Sequence, residues 1–353
     1  MTELQEPIFI NGSHGEGGSA LLRTAIAVST LTSQPVRIHD VRGAMRKPGL
    51  TAEDLTTVYA FADCCDADLD GAEIQSSELK FRPGGESGAL NGVYDVQSHE
   101  KGRIPGNALV VLASLLPVIA RSTSYSRVTV HGETHGENTI CFDAFQRLTL
   151  SAHRALGMYG FSELKAAGFG YAGRGEVTLE VEPSALNPVM WESRGSLVAC
   201  TVDIATSGLR DGAGEEAELI VKKALTEDLT EAEFCHSALE SQTKGACITI
   251  AAEFERGLGG GSASLKGQET IATVAARAVD RFRSWYRTDA TVDAFLADQM
   301  LVAASQADGS TVFTTPNITR RLKTMAWVIK QFIPLQITIF GREGEAGKVS
   351  IER

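Results

Sequence analysis

The apolar positions of this chain fall into short strand-like runs that are followed by longer runs with helical spacing. Pro7–Ile10 predicts a strand and Ala20–Leu31 predicts a helix. Val36–Arg42 alternates between apolar and polar residues as a strand does, and the apolar residues of Thr51–Cys65 recur at helical spacing. Further short strands are predicted around Ile74 and at 79–81. This alternation of strands and helices is typical of α/β proteins.

A glycine-rich turn connects the first predicted strand to the first predicted helix. Gly15, Gly17 and Gly18 allow the backbone to turn tightly and to approach a ligand closely. The free N–H groups of the following helix favour an anion at this position. Glu16 lies inside the loop and Arg23 lies one turn into the helix, so both charges can face the same place. A turn of this kind is equally typical of a purely structural connection.

A second candidate site lies at the end of the next strand. Arg42, Arg46 and Lys47 gather positive charge beside the turn at Pro48–Gly49. Arginine presents forked donors that match phosphate oxygens, so one interpretation is a phosphate clamp. The other interpretation is a solvated basic turn, and the residues alone leave both open.

Composition limits the classes of protein and partner. The chain has 353 residues, 43% of them hydrophobic and 22% charged, which is ordinary for a globular protein with room for two domains. The net charge of -11 means that the surface as a whole repels nucleic acid, so any such site must be a local basic patch. The start of the chain is polar and acidic, and no apolar run reaches the roughly 18 residues of a membrane span. We therefore expect no signal peptide and no membrane partner.

The cysteines are scattered along the chain and form no CxxC pair. This spacing argues against a zinc site and against a disulfide framework, and it suits a reducing compartment. We therefore expect a cytoplasmic protein. The six positions are Cys64, Cys65, Cys141, Cys200, Cys235 and Cys247.

The order and spacing of the motifs carry more information than any one of them. A Gly-Glu-Gly-Gly loop with Leu-Leu-Arg is followed by Arg and Lys-Pro-Gly-Leu, a helix, Phe-Arg-Pro-Gly, Leu-Ala-Asp-Gln and Phe-Ile-Pro. In this order they resemble the RNA 3′-terminal phosphate cyclase family over nearly the whole chain. The motifs occupy residues 15–23, 42–50, 81–84, 296–299 and 332–334.

The resemblance implies an α/β (α+β) fold. Three βαβαββ-type repeats would form a large domain, interrupted by a small inserted α/β domain. We expect residues 1–184 and 263–353 to form the repeat domain and residues 185–262 to form the insert, which would end at a flexible stretch, Gly257–Gly261. Strand, loop and helix indeed recur at Ile8–Leu31, Val128–Leu156 and Val312–Phe332.

The resemblance also implies a reaction. In the family, ATP adenylylates a histidine, AMP passes to an RNA 3′-phosphate, and the ribose 2′-hydroxyl displaces it to give a 2′,3′-cyclic phosphate. ATP, a divalent metal ion and an RNA 3′ end are therefore expected, and DNA is not. The residues at the family's active-site positions are Glu16, Arg23, Arg42, Asp298 and Gln299, with Arg46 beside Met45, where the family has an arginine.

The nucleophile of the family is missing. It lies between the Asp-Gln helix and the Phe-Ile-Pro turn, which here is Thr311–Lys330 and holds no histidine. The last histidine of the whole chain is His236. Lys323 and Lys330 lie in the right region, either as replacement nucleophiles or as part of a solvated basic helix.

Other departures concern the same phosphate and adenine contacts. Together they predict that the histidine–AMP step is lost. The departures are Glu53 and Ala113 in place of glutamines, Phe295 in place of a tyrosine, and Asn138–Cys141 in place of a proline-rich stretch.

Two classes of function remain open. The first is an enzyme that acts on RNA 3′ ends. The second is a catalytically inactive cyclase-like factor that binds RNA or protein in RNA processing or ribosome assembly. Among the remaining histidines, His14 lies nearest the proposed groove, and His131 and His135 flank a loop that either reaches the groove or packs structurally.

Overall fold

The computed structural model describes residues 5–96, 106–170, 173–228 and 231–353. The strands are β1 Ile8–Asn11, β2 Val36–His39, β3 Asp68–Asp70, β4 Glu78–Arg82, β5 Asn91–Asp95, β6 Ser126–Gly132, β7 Gly160–Ala166, β8 Gly175–Val181, β9 Met190–Trp191, β10 Leu197–Ser207, β11 Glu233–Ala238, β12 Gly245–Phe254, β13 Gly257–Ser264, β14 Thr311–Thr315, β15 Gln336–Phe340 and β16 Gly347–Glu352. The helices are α1 Ser19–Thr32, α2 Ala52–Cys65, α3 Ala108–Ile119, α4 Phe142–Ala144, α5 Leu150–Ala155, α6 Ala213–Leu225, α7 Ile271–Tyr286, α8 Ala294–Ala304 and α9 Arg320–Phe332, with a π-helical segment, Phe145–Thr149, between α4 and α5.

Three sheets of the same topology confirm the predicted βαβαββ repeats. Their strand orders are β1-β2-β4-β3, β5-β6-β8-β7 and β9-β14-β16-β15. In each sheet the first two strands are parallel and the other pairs are antiparallel. The parallel pair needs a crossover, and α1, α3 and α8 lie in these crossovers. In the third repeat the crossover also contains the inserted unit.

The inserted unit has its own sheet and core. Its strand order is β11-β10-β12-β13, and α6 and α7 pack on this sheet. Its hydrophobic cluster includes Val202 and Ile250 together with Val274 and Phe282, which lie beyond the expected boundary at residue 262. We therefore propose that the insert extends from β10 to the end of α7.

The glycine-rich stretch Gly257–Gly261 is not the flexible exit that we expected. It forms most of β13, in the interior of the insert. A Cβ atom on Gly259 would lie 2.6 Å from Cδ2 of Trp285, and one on Gly261 would overlap the backbone of Phe282. The glycines are thus required because α7 lies directly on the strand.

Two local predictions are also wrong. No strand forms around Ile74, which lies in a turn and is 42% exposed. The strand of this region is β3, which precedes that turn. The strand predicted at Val36–Arg42 ends at His39, because Asp40 and Arg42 both adopt φ of 52°. Residues in that left-handed region cannot continue a strand.

The three repeats bring their crossover helices together. α1 packs against α2, α3, α8 and α9, and α3 also contacts α8. In the described residues, no helix combines the length and apolar character needed to cross a membrane.

Candidate functional site

The central cavity lies where the crossover helices of the three repeats meet. It has a volume of about 270 Å³. Helices α1, α3 and α8 each provide one wall, and α9 and the loop before α4 complete it. The lining residues are Ala20, Arg23, Thr24, Ala27, Glu53, Val110, Ala113, Ser114, Pro117, Asn138, Thr139, Ile140, Phe295, Asp298, Gln299, Val302, Arg321 and Met325.

Arg23 lines this central cavity, but two carboxylates already bind it. Its Nη1 donates to Glu53 Oε1 at 3.1 Å and to Asp54 Oδ1 at 3.3 Å. Asp54 is fully buried and forms a capping box with Thr51 at the start of α2. Burial raises the pKa of Glu53, and the nearby Arg23 opposes this effect. The positive charge of Arg23 is therefore largely balanced.

Arg42 lies behind Arg23 rather than in the central cavity. Its Nη1 donates to the carbonyl oxygens of Lys47 and Gly49, each at 2.9 Å, and its Nε lies 3.7 Å from Asp54 Oδ2. Arg23 and Arg42 thus share one buried carboxylate. Arg42 holds the turn at residues 47–49 closed, and Arg46 is exposed outside the cavity lining.

Asp298 and Arg321 face each other across the central cavity. Asp298 Oδ1 accepts a hydrogen bond of 2.8 Å from Thr319 Oγ1, and its Oδ2 lies 3.9 Å from Arg321 Nε. Glu16 Oε1 lies 3.8 Å from the same nitrogen. Burial raises the pKa of Asp298 to about 7, against the opposing charge of Arg321. Asp298 is therefore partly protonated near neutral pH.

Gln299 connects the central cavity to a larger neighbour. Its Oε1 accepts a hydrogen bond of 2.8 Å from Thr149 Oγ1, in the π-helical segment. A second cavity of about 510 Å³ opens between the repeats and the inserted unit. The residues that line both cavities are Asn138, Thr139, Ile140, Phe295 and Gln299.

Most departures from the family pattern meet at the central cavity. Glu53, Ala113 and Phe295 all line it, although they come from different repeats. Asn138–Cys141, the replacement for the proline-rich stretch, contributes three of its residues to the same wall. The substitutions are thus concentrated at one site, as expected if one reaction step has been lost.

The remaining candidates lie elsewhere. His14 stacks on Trp327 with ring centroids 3.8 Å apart, and it lines neither cavity. Lys323 Nζ lies 3.5 Å from Glu343 Oε2, and Lys330 is exposed on the outer face of α9. Neither lysine lines the central cavity, so neither occupies the position of a nucleophile.

The structure separates Arg320 from Arg321. In the sequence the two form one basic cluster with Lys323, which predicts that both could face an RNA backbone. Arg320 Nε donates to Glu343 Oε1 at 2.9 Å on the outside, and Arg321 lines the central cavity. The available signal was helical spacing: consecutive residues of a helix point about 100° apart, so Arg320 and Arg321 need not face the same partner.

Comparison of the sequence with known proteins identifies one family. The family model for RNA 3′-terminal phosphate cyclase matches residues 14–339. Proteins named RNA 3′-terminal phosphate cyclase from Methylococcus capsulatus and Pseudomonas fluorescens are 30% and 33% identical to this chain. The matches cover 97% and 91% of this chain, and 95% and 91% of those proteins. Among solved structures, the enolpyruvyl transferase NikO from Streptomyces tendae is similar with a TM-score of 0.36 and 14% identity, over 98% of this chain and 48% of NikO.

Proposed function

The chain belongs to the RNA 3′-terminal phosphate cyclase family, and we propose that it binds phosphorylated RNA 3′ ends in the central cavity without forming a histidine–AMP intermediate. The observation that carries this proposal is the position of Arg321. Within Thr311–Lys330, where the family has its nucleophile, Arg321 is the charged side chain that lines the cavity. A guanidinium stays protonated and is a phosphate ligand rather than a nucleophile.

A phosphate group suits the central cavity. Arg23 and Arg321 both line it, and the buried Nε of Arg321 has no hydrogen-bond acceptor. Such an orphan donor is a reason to expect a ligand atom. Glu53 and Asp298 limit the positive charge, and burial raises the pKa of each, which weakens their opposition to an anion.

A resident divalent metal ion does not suit the acids around Arg321. Glu16 and Asp298 both face Arg321, and no group of three metal-ligating side chains forms there among the described residues. We therefore assign no step to a metal at this position. If ATP binds, Arg23 and Arg321 are the groups that this proposal assigns to its phosphates.

The first test asks whether the protein carries AMP. The chain is incubated with labelled ATP, a divalent metal and an RNA that ends in a 3′-phosphate, and is then analysed on a denaturing gel. We expect no acid-labile label on the protein. Label that maps to a histidine by mass spectrometry would contradict the proposal.

The second test asks whether the RNA end binds at Arg321. We expect an oligoribonucleotide with a 3′-phosphate to bind more tightly than its 3′-hydroxyl counterpart. Arg321→Ala removes a charged hydrogen-bond donor and should weaken this preference roughly 10-fold or more. The matched control is Arg320→Ala, one residue away but paired with Glu343 outside the cavity, and it should keep the preference. Equal effects of the two variants would place the RNA elsewhere.

The clustered departures favour a second candidate, an inactive cyclase-like binding factor in the cytoplasm. The first candidate is an enzyme that acts on the RNA 3′ end, and the second only binds that end, so the RNA product distinguishes them. Conversion of the RNA 3′-phosphate to a 2′,3′-cyclic phosphate by the purified chain would support the enzyme, with a nucleophile other than histidine. Binding of the phosphorylated end without conversion would support the factor, for which protein partners are then the next search.

A further inference from the structure

Three side chains with metal-binding atoms meet away from both cavities. Cys141 and Asp143 lie at the start of α4, and Cys247 lies on β12 of the inserted unit. Their ligand atoms all lie within 4.8 Å of one another. Cys141 is 1% exposed and Cys247 is fully buried. The fold thus brings together residues that are about a hundred positions apart in sequence.

A histidine with an unused ring nitrogen lies beside Asp143 of this cluster. His135 Nε2 lies 3.7 Å from Asp143 Oδ2, which is too far for a hydrogen bond. Both atoms are buried and have no hydrogen-bond partner. The His135 side chain is completely buried and stacks on Phe169, so water does not satisfy it from outside. Unpaired buried polar atoms are costly, and a missing ion is one explanation for them.

The hydrogen bonds around His135 are compatible with the tautomer that a metal ligand needs. Its Nδ1 lies 2.8 Å from Thr134 Oγ1, which also accepts a 2.9 Å hydrogen bond from Gly168 N–H and lies 3.4 Å from Gly168 O. If Nδ1–H donates to the hydroxyl, the hydroxyl proton is free to donate to Gly168 O. Nε2 then carries a lone pair that faces Asp143. A metal-bound histidine has the same arrangement, in which the other ring nitrogen donates to a supporting group.

We propose that His135, Cys141, Asp143 and Cys247 bind a zinc-class transition-metal ion. Two thiolates, an imidazole and a carboxylate are a tetrahedral ligand set for zinc, whereas magnesium and calcium prefer oxygen ligands alone. Bonds of 2.0–2.3 Å place tetrahedral ligands roughly 3.3–3.8 Å apart, so the two cysteines and Asp143, whose ligand atoms lie within 4.8 Å of one another, would draw together around the ion and His135 would move toward it.

One of the thiols also has a supporting group of the kind that metal ligands have. Thr249 Oγ1 lies 3.3 Å from Cys141 Sγ, as a supporting hydrogen-bond group does.

The site would fasten the inserted unit to the second repeat. Cys141 and Asp143 follow the loop after β6, and Cys247 lies on β12, which pairs with β10 and β13. A structural metal contributes its binding free energy to folding when the apo chain does not hold the site together. The proposed metal site lies outside the central cavity, because none of its four residues lines that cavity. The metal would therefore act on stability rather than on RNA phosphate.

The test uses the full chain, purified with a thiol reductant and without added metal. Elemental analysis should find about one zinc per chain. After the zinc is removed by a chelator, titration with Co²⁺ should produce thiolate-to-cobalt charge-transfer bands and tetrahedral d–d bands that saturate at about one equivalent. Zinc should also raise the melting temperature of the stripped chain.

Matched variants identify the ligands. Cys247→Ala and His135→Gln should weaken Co²⁺ binding by at least about 100-fold, above the 10–100-fold range of supporting groups. Cys200→Ala is the control, because Cys200 is a buried cysteine of the same inserted unit that lies outside the cluster. It should keep the cobalt spectrum.

Three results would overturn the inference. The first is a stripped wild-type chain that gives no charge-transfer band. The second is a Cys141→Ala/Cys247→Ala double variant that keeps the band. The third is a Cys141–Cys247 disulfide, found by mass spectrometry of peptides from protein purified without reductant and resistant to zinc. The wild-type titration decides the matter even if a cysteine variant does not fold.

Discussion

Asp298 is the residue whose protonation most directly affects the central cavity. In the folded protein the pKa of Asp298 is raised to about 7 from the ordinary 3.8, chiefly by burial. Between these values the folded state keeps a proton that the unfolded state loses. The free energy of unfolding should therefore fall as pH rises from about 4 to about 7, by up to about 1.4 kcal/mol per pH unit from this group.

Asp298→Asn tests this titration. The variant has no carboxyl group at this position, so its free energy of unfolding should fall less steeply between pH 4 and pH 7 than that of the wild type. Urea unfolding at a series of pH values measures the slope. Asp211→Asn, at an exposed position, should retain the wild-type slope. An unchanged slope in Asp298→Asn would show that this carboxyl does not titrate in that range.

The same carboxyl should control anion binding. Ionised Asp298 repels a phosphate near Arg321, so affinity for an RNA 3′-phosphate should fall as pH rises from 6 to 8. The RNA phosphate itself titrates near pH 6. This effect is the same for the wild type and for Asp298→Asn, because both are measured with the same RNA. The difference between the two affinity profiles therefore reports Asp298, and parallel profiles would exclude it from the binding site.

At the scale of elements, the contact between β13 and α7 depends on glycine. Gly261→Ala would place a methyl group against the backbone of Phe282, which cannot move independently of α7. We expect a loss of about 1–3 kcal/mol in the free energy of unfolding. Gly85→Ala is the control, since an added Cβ there meets nothing within 4 Å. Chemical denaturation of both variants makes the comparison, and equal stabilities would mean that α7 is not packed as closely as described.

At the scale of the whole molecule, Glu137 ties the inserted unit to the repeats. Its Oε1 accepts from Arg281 at 2.6 Å and its Oε2 accepts from Ser264 N–H at 2.6 Å, and Arg277 lies nearby. Burial raises the pKa of Glu137, but the Ser264 N–H and Arg281 outweigh it and hold the pKa below its ordinary value. The ionised carboxylate thus stabilises the contact above the ordinary pKa of 4.5, and this contribution is lost as pH falls.

Glu137→Gln should loosen this contact while keeping the shape of the side chain. The pair is part-buried, since Arg281 is 35% exposed, so breaking it should cost less than the roughly 3–5 kcal/mol typical of a fully buried pair. We expect faster amide exchange in β13 and α7 at neutral pH, measured by hydrogen–deuterium exchange. Glu253→Gln, on an exposed position of the same sheet, is the control. If exchange in β13 and α7 matches the wild type, another contact holds the insert.

The sequence by itself determined the repeats and the family. Periodicity located β1, α1 and α2 within a residue or two, because each element buries one face and its own sequence shows which residues form that face. The absence of histidine from Thr311–Lys330 is likewise evident from the sequence alone. No tertiary arrangement can supply a residue type that the segment lacks.

Only the tertiary structure decided what the charged residues face. It paired Arg23 with Glu53, assigned Arg42 to its own turn, and separated Arg321 from Arg320. It also placed Cys247 beside Cys141, although cysteine spacing argued against a metal site. The spacing of cysteines in the sequence indicates a metal site only when one local segment supplies the ligands. A site built across two folding units depends on how their sheets and helices pack, and that information is distributed over the whole chain.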